Sequence, residues 1–442
     1  MIGLGGAIGT GLFLGLALAI SYAGPATILA YAICALVAFV IAWALAEMVV
    51  VHPEAGSFGA IAHRYLGPLA GFVQRWTYWT IQAISVGGDI VAAGLYVRFW
   101  WPQLPLWPLV VVFAVVVLGA NALAVRFFGT VEYWLAMIKV IAVVVFIGLG
   151  LVLITVGLPE SPATGLANLT AHGGFLPNGW QGLFLAMVFV LFSYIGTEVV
   201  AVTAAESEHP ERDIPRAARR MVLRLVVFYI LAIAVILTVA PWTVTAQGGS
   251  VDASPFVRVV EDAGVPAAAA IINFVVLTAA LSSANTNLYL TTRMLHSLAA
   301  DRYAPAWAGR VSRSGVPRNA LALSALGPGL AVTLSAATDR AYLALFGISI
   351  FGALMVWILI LLTHRAFRRA TTRPSPVRLW GAPVTSGLAA LFLLGVLVST
   401  AFIDGLDTAW MVGVPFFAVL VVAHTVITRR RARRPAPSEP TP

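Results

Sequence analysis

Three observations predict an all-α polytopic membrane protein. Of 442 residues, 60% are hydrophobic and only 10% charged, against roughly 25% charged in a soluble domain. Mean hydropathy is +0.93. The apolar residues also gather into runs of about 20, the length that crosses the hydrocarbon core as a helix.

The runs predict 12 transmembrane helices, over residues 2–22, 26–51, 76–99, 106–125, 131–156, 180–203, 221–241, 265–290, 319–336, 341–363, 381–402 and 409–428. The first run has neither the basic leader nor the small-residue cleavage site of a signal peptide, so it counts as a span. The second holds Cys34, the only cysteine, which excludes an intramolecular disulfide and reads as a small hydrophobe. Between the second and third runs, His52-Pro53-Glu54-Ala55-Gly56-Ser57 opens a connection with a short amphipathic piece carrying His63, Arg64 and Arg75. It is expected to lie at the interface.

Arginine sets the orientation. With loops assigned alternately to two sides, one side collects Arg64, Arg75, Arg126, the groups at 212–224, 293–318 and 365–378, and Arg429, Arg430, Arg431, Arg433 and Arg434. The other keeps Arg98, Arg258 and Arg340. The arginine-rich side is cytoplasmic by the positive-inside rule, so both termini are expected inside. The net charge of +9 is therefore topological and no sign of a nucleic-acid partner.

Two spans look broken. Ile2-Gly-Leu-Gly-Gly-Ala-Ile-Gly-Thr-Gly-Leu-Phe-Leu14 is apolar, yet Gly3, Gly5, Gly6, Gly9 and Gly11 fall within nine residues. Each glycine costs a helix about 1 kcal/mol against alanine. Unwound backbone persists in a bilayer only where it lines a cavity, so the stretch marks a site. The sixth span is interrupted by Ser193, Gly196, Thr197 and Glu198. Spans one and six each open a set of five, the spacing of an inverted repeat, and paired Gly-interrupted helices in matching halves point to a transporter's binding site. The expected organisation is one domain over 1–428, with repeats at 1–156 and 180–363, two further helices over 381–428, and a basic tail over 429–442.

Lys139 is the only lysine in the chain, well inside span five. A charge at a helix centre costs about 2.5–3.5 kcal/mol on insertion scales and is functional by default. Lysine can shed its proton when desolvated, whereas arginine effectively cannot. The bland alternative is a lysine snorkelling to the interface. Asp89 follows Gly87 and Gly88 in mid-span three; it reads as a proton relay, a partner for a cationic substrate, or a packing carboxylate. Glu198 belongs to the sixth-span break, where it holds the unwound geometry or faces the path. Glu47 and Glu132 lie near helix ends and read as structural. Ser282, Ser283, Asn285, Thr286 and Asn287 in span eight either let helices pack closely or face the first break and hold a cation. Trp76, Tyr78, Trp79, Trp100, Trp101 and Trp107 read mostly as an interfacial belt; Phe192, at the sixth-span break, is placed to cap a pocket. The glycines do not follow a strand or keep the dinucleotide spacing, and the 7 histidines are scattered, so no enzyme, metal or other cofactor is expected.

These residues resemble the amino acid permeases of the amino acid–polyamine–organocation superfamily along nearly the whole chain. The likeness is densest in Gly5-Gly-Ala-Ile-Gly-Thr-Gly-Leu-Phe13, Pro53-Glu-Ala-Gly-Ser-Phe58, Ile138-Lys-Val140, Ala205-Glu-Ser-Glu-His-Pro-Glu-Arg-Asp-Ile-Pro-Arg216, Leu277-Thr-Ala-Ala-Leu-Ser-Ser-Ala-Asn285 and Gly315-Val-Pro-Arg-Asn-Ala320. The resemblance implies a five-plus-five inverted repeat and import of L-amino acids through the cytoplasmic (inner) membrane, by proton symport with alternating access; an exchanger or a non-transporting sensor is the alternative. It implies that the N–H groups of Gly9, Thr10 and Gly11 take the substrate carboxylate, where a helix start favours an anion. Carbonyls of Ala7 and Ile8, and of Ser193 and Ile195 beside Gly196, would take the ammonium, with Phe192 as aromatic gate. Lys139 would stand where other members place a sodium ion, near Gly5, Ile8 and Ser282 or Ser283. Two departures follow. Family members carry a basic segment and another helical turn before the glycine motif, so either the start lies upstream of Met1 or the first helix is truncated. They also often have glutamate where Asp89 stands. The partners implied are an amino acid, protons and the lipid bilayer.

Overall fold

Backbone that crosses a bilayer must satisfy its own polar groups, and the chain does so with helices. The computed structural model describes residues 9–53, 57–123, 128–158, 161–199, 209–246, 254–262, 264, 266–311, 317–371 and 375–432. Helices α1 (Thr10–Phe13) and α2 (Gly15–Ala23) run on through Leu14, itself in the right-handed region. The chain turns at Gly24, φ +56°, into α3 (Thr27–Val51). There follow α4 (Ser57–Leu66), α5 (Pro68–Arg98), α6 (Leu106–Leu123), α7 (Phe128–Thr155), α8 (Gly179–Tyr194), α9 (Pro210–Val239), α10 (Trp242–Thr245) and α11 (Pro255–Asp262). The rest is α12 (Pro266–Ala300), α13 (Arg318–Ser324), α14 (Leu326–Ala337), α15 (Ala341–Ala370), α16 (Val384–Ser399) and α17 (Asp407–Ala432). Among the described residues, β structure amounts to one short antiparallel pair, Gly157–Leu158 with Ser161–Pro162.

Among the described residues, nine helical runs are long and apolar enough to cross a membrane, with Leu106–Ala122 and Gly179–Tyr194 as shorter apolar helices. The molecule is thus built as a multi-pass membrane protein. Its hub is α5, which packs most extensively on α12 and also on α15 and α14. Side-chain amides stitch it in place: Gln74 Nε2 donates to the Val356 carbonyl at 3.1 Å, and Asn273 Nδ2 donates to that of Tyr96 at 2.8 Å. Outward faces leave large aliphatics such as Val115, Val145, Leu391 and Val422 exposed. Such a band suits lipid rather than water.

Several helices outrun the apolar runs that predict them. Helix α5 begins at Pro68 rather than 76, α9 at Pro210 rather than 221, and α12 continues to Ala300 rather than 290. Hydropathy sees only the apolar stretch, whereas a helix continues through polar turns at the interface. Helix α17 likewise carries Arg429, Arg430 and Arg431, so the expected tail begins as helix. The early start of α5 corrects two expectations. Arg75 is fully buried within a helix, not interfacial, and bonds Ser297 Oγ at 3.2 Å and the Asp301 carboxylate. Trp76, Tyr78 and Trp79 are packing groups two to three turns into that helix, not a belt. Trp76 Nε1 donates to the Tyr303 carbonyl, Trp79 Nε1 to Ser324 Oγ, and Tyr78 is fully buried. Trp101 and Trp107 are exposed, as a belt requires.

Glu47, near the end of α3, is a structural node. Its buried Oε2 accepts from Arg368 Nη2 at 2.8 Å and the Leu379 N–H at 2.7 Å, and pairs with His364 Nε2 at 3.1 Å. The node ties α3 to α15 and the segment after it. Removing one member of a buried ionic group strands the others, at roughly 3 kcal/mol or more. Glu47→Ala is therefore expected to lower the thermal denaturation midpoint in detergent clearly, and Glu47→Gln by less; an unchanged midpoint for the alanine variant would refute the node.

Candidate functional site

The sixth-span break is present. Helix α8 stops at Tyr194, Ile195 is extended (φ −61°, ψ 138°), and Gly196 sits at φ +105°, a conformation that favours glycine. The carboxylate of Glu198 turns back onto this break and accepts the Gly196 N–H with both oxygens, at 3.0 and 3.2 Å. Trp357 Nε1 of α15 donates to the same carboxylate at 3.3 Å. Glu198 thus replaces hydrogen bonds that the broken helix forgoes.

Ahead of the break the chain is clamped. Ser193 Oγ hydrogen-bonds Tyr31 Oη at 2.8 Å, and the Ser193 carbonyl accepts from Tyr229 Oη at 3.0 Å. Tyr194 Oη donates to the Tyr31 carbonyl at 3.1 Å. A carbonyl has two lone pairs, so that of Ser193 keeps one for a further donor.

Helix α1 starts against this break. Gly9 is extended and Thr10 is the first helical residue, so the first N–H groups have no partner within the helix. Helices α1 and α8 touch so closely that a methyl group on Gly11 would lie 2.8 Å from the Phe192 ring and 3.0 Å from Ser193 Cα. Thr10 Oγ1 donates to Asp89 Oδ1 at 2.8 Å, and Asn287 Nδ2 of α12 donates to Asp89 Oδ2 at 3.0 Å. Tyr342 Oη of α15 reaches the Thr10 carbonyl at 3.4 Å. Asp89 is thus the junction of α1, α5 and α12.

These elements border a small, partly open cavity. Gly9, Thr10 and Gly11 line one side, with Phe192, Ile195 and Gly196 of the break beside them. The opposite wall is polar: Gln82, Ser85, Asp89, Ser283 and Asn287. Phe192 packs on Phe346, ring centroids 4.3 Å apart, at the cavity edge where a gate would stand.

Of the residues the sequence singles out, the structure therefore brings Gly9, Thr10, Gly11, Phe192, Ile195, Gly196, Asp89 and Ser283 to one cavity. Ser193 lies directly behind it, and Glu198 is not part of the lining. Gly5, Ala7 and Ile8 lie outside the described residues. Lys139 is fully buried on α7, where the carboxylates that act on its charge are Glu132 and Asp89. Ser282 Oγ donates to Glu132 Oε1 on the same helix as Lys139. Sequence reasoning missed Gln82 and Ser85. A signal existed, because positions 82, 85 and 89 share a face at helical spacing. Among the described residues no three His, Cys, Asp or Glu side chains gather as a metal site would need.

A small polar cavity between a helix break and a helix start, inside a helical membrane bundle, is the kind of site a solute carrier has. Comparison with known proteins agrees. The amino acid permease family model matches residues 1–435, and the chain belongs to that family. A probable threonine/serine transporter, YbxG, of Bacillus subtilis is 38% identical over 96% of this chain and 92% of its own length. The aromatic amino acid transport protein AroP of Escherichia coli K12 is 41% identical over 92% of this chain and 89% of its own. These relatives are named as transporters rather than enzymes. The fold is also that of a manganese transporter from Eremococcus coleocola, with a TM-score of 0.60 at 12% identity over 97% of this chain and 94% of that one.

The Gly11 contact is directly testable. Gly11→Ala drives a methyl group into the Phe192 ring and against the Ser193 backbone, and uptake of substrate by membrane vesicles is expected to fall at least 10-fold while the protein is still inserted. Uptake within two-fold of wild type would mean that the two helices do not need this approach.

Proposed function

We propose that the protein is a secondary active transporter that imports L-amino acids across the cytoplasmic membrane by proton symport and alternating access. The observation that carries this reading is the meeting of the α1 start, the α8 break and Asp89 around one small polar cavity, with the only lysine of the chain buried nearby. In this reading the chain crosses the membrane 12 times as one domain over 1–428. Spans one to five and six to ten form an inverted repeat, and both termini are cytoplasmic.

The substrate carboxylate sits on the N–H groups of Gly9, Thr10 and Gly11, where a helix N-terminus favours an anion. The ammonium meets backbone carbonyls of the two breaks, those of Ala7, Ile8, Ser193 and Ile195, and Phe192 closes the cavity. Lys139 carries the coupled proton close to α12, which brings Ser282 and Ser283. One proton crossing 100 mV releases about 2.3 kcal/mol, enough to sustain roughly a 50-fold solute gradient at about 1.4 kcal/mol per decade.

The polar wall bears on the side chain. Gln82, Ser85, Asp89 and Asn287 are bonded to Tyr78, Ser349, Thr10 and one another, and their remaining lone pairs and N–H groups give the substrate side chain a polar surface rather than an apolar one. Side chains with a hydroxyl or amide fit this wall better than large aromatic ones, as in a relative named for threonine and serine.

The experiment is uptake of a labelled amino acid panel into proteoliposomes, with and without an imposed proton gradient, repeated for Lys139→Ala. Gradient-driven uptake, strongest for hydroxyl and amide side chains and lost in the variant, is the expected result. Uptake indifferent both to the gradient and to the variant would instead favour exchange.

A further inference from the structure

Glu132 looks unremarkable in sequence, one turn into α7. In the structure its side chain is fully buried, like that of Lys139 seven residues on. Seven residues are two turns, so both side chains leave one face of α7, separated by about 10.5 Å along the axis. Their charges act on each other. Across from them α12 presents Ser282, Asn285 and Thr286. Ser282 Oγ grips Glu132 Oε1, and Thr286 and Asn285 also stand on this carboxylate, whereas Oε2 is buried with no well-formed hydrogen bond of its own. Asn285 is itself held by Asn121 Nδ2 of α6 at 2.6 Å. The other carboxylate that acts on the charge of Lys139 is Asp89, engaged from both sides by Thr10 and Asn287.

A buried carboxylate with one oxygen fixed and the other open is costly for packing alone, because a partly satisfied polar group is worse than an apolar one. It is what a proton station needs: a defined orientation and a free lone pair.

We propose that Glu132 is the second station of the proton route, which takes the proton from Lys139 and delivers it to the membrane face at which α7 begins. An N–H bond of the Lys139 ammonium breaks as an intervening water accepts the proton, and an O–H bond of that water breaks as a proton bonds to Glu132 Oε2, leaving a neutral amine, the water and a neutral carboxylic acid. The acid then releases the proton to water, and the carboxylate is restored. Ser282 keeps Oε1 in place throughout, and α7 supplies both stations on one rigid element. The assignment rests on the symport reading above.

The test separates coupling from transport in proteoliposomes. One assay reads accumulation driven by an imposed pH gradient; the other reads counterflow, the exchange of labelled for unlabelled substrate with no gradient. Glu132→Gln keeps shape and removes the titratable group; it is expected to lose accumulation at least 10-fold while counterflow stays within about three-fold. Glu132→Asp, which restores a carboxylate, is expected to recover a measurable part of the accumulation. Equal losses in both assays for both variants would make Glu132 a packing residue and overturn the proposal, as would full accumulation by Glu132→Gln. Wild-type protein indifferent to the gradient is a different failure, that of the symport reading itself, and would remove the proposal with it.

Discussion

Everything in this molecule turns on the two hydrogen bonds that Asp89 accepts. One comes from Thr10 at the first helical residue after the glycine-rich stretch, the other from Asn287 on α12. A broken helix inside a bilayer has lost the partners that keep an ordinary span indifferent to its neighbours. It must be held from outside, and Asp89 holds it from the most buried helix of the bundle. The site is therefore not a pocket carved into a finished scaffold. The same contacts that fix the helix start also make the polar wall of the cavity.

The second break is held differently. Glu198 lies two residues beyond Gly196 and folds back to cap it, so that the turn is secured by its own sequence with help from Trp357. One break thus depends on a distant helix and the other chiefly on itself. The two carboxylates look alike in composition, yet one lines the cavity and the other serves the backbone.

The sixth-span break and the helix start at Thr10 were legible in the sequence because glycine in an apolar run has a direct energetic meaning. So was the isolation of Lys139, since one lysine among so many arginines stands out without any structure. Helix ends were less legible: hydropathy stops where polarity begins, so Arg75, Trp76, Tyr78 and Trp79 were placed at an edge when they belong to the interior. Gln82 and Ser85 escaped because a polar residue in a span declares its environment only once its facing is known. Glu132 escaped for a related reason. Its distance from the helix start suggested the interface, and only the packing of α12 shows that it is enclosed.

The tyrosine cage behind the sixth-span break has a mechanical meaning. Tyr31 and Tyr229 fasten Ser193 to α3 and α9, Tyr194 adds a bond of its own to the Tyr31 carbonyl, and the helical backbone ends at Tyr194. The half-helix before the break is thus braced by two neighbouring helices, and the bracing stops at Gly196 with its left-handed backbone. The wall of the cavity that Phe192 supplies therefore inherits its position from α3 and α9, not from the helix that carries it.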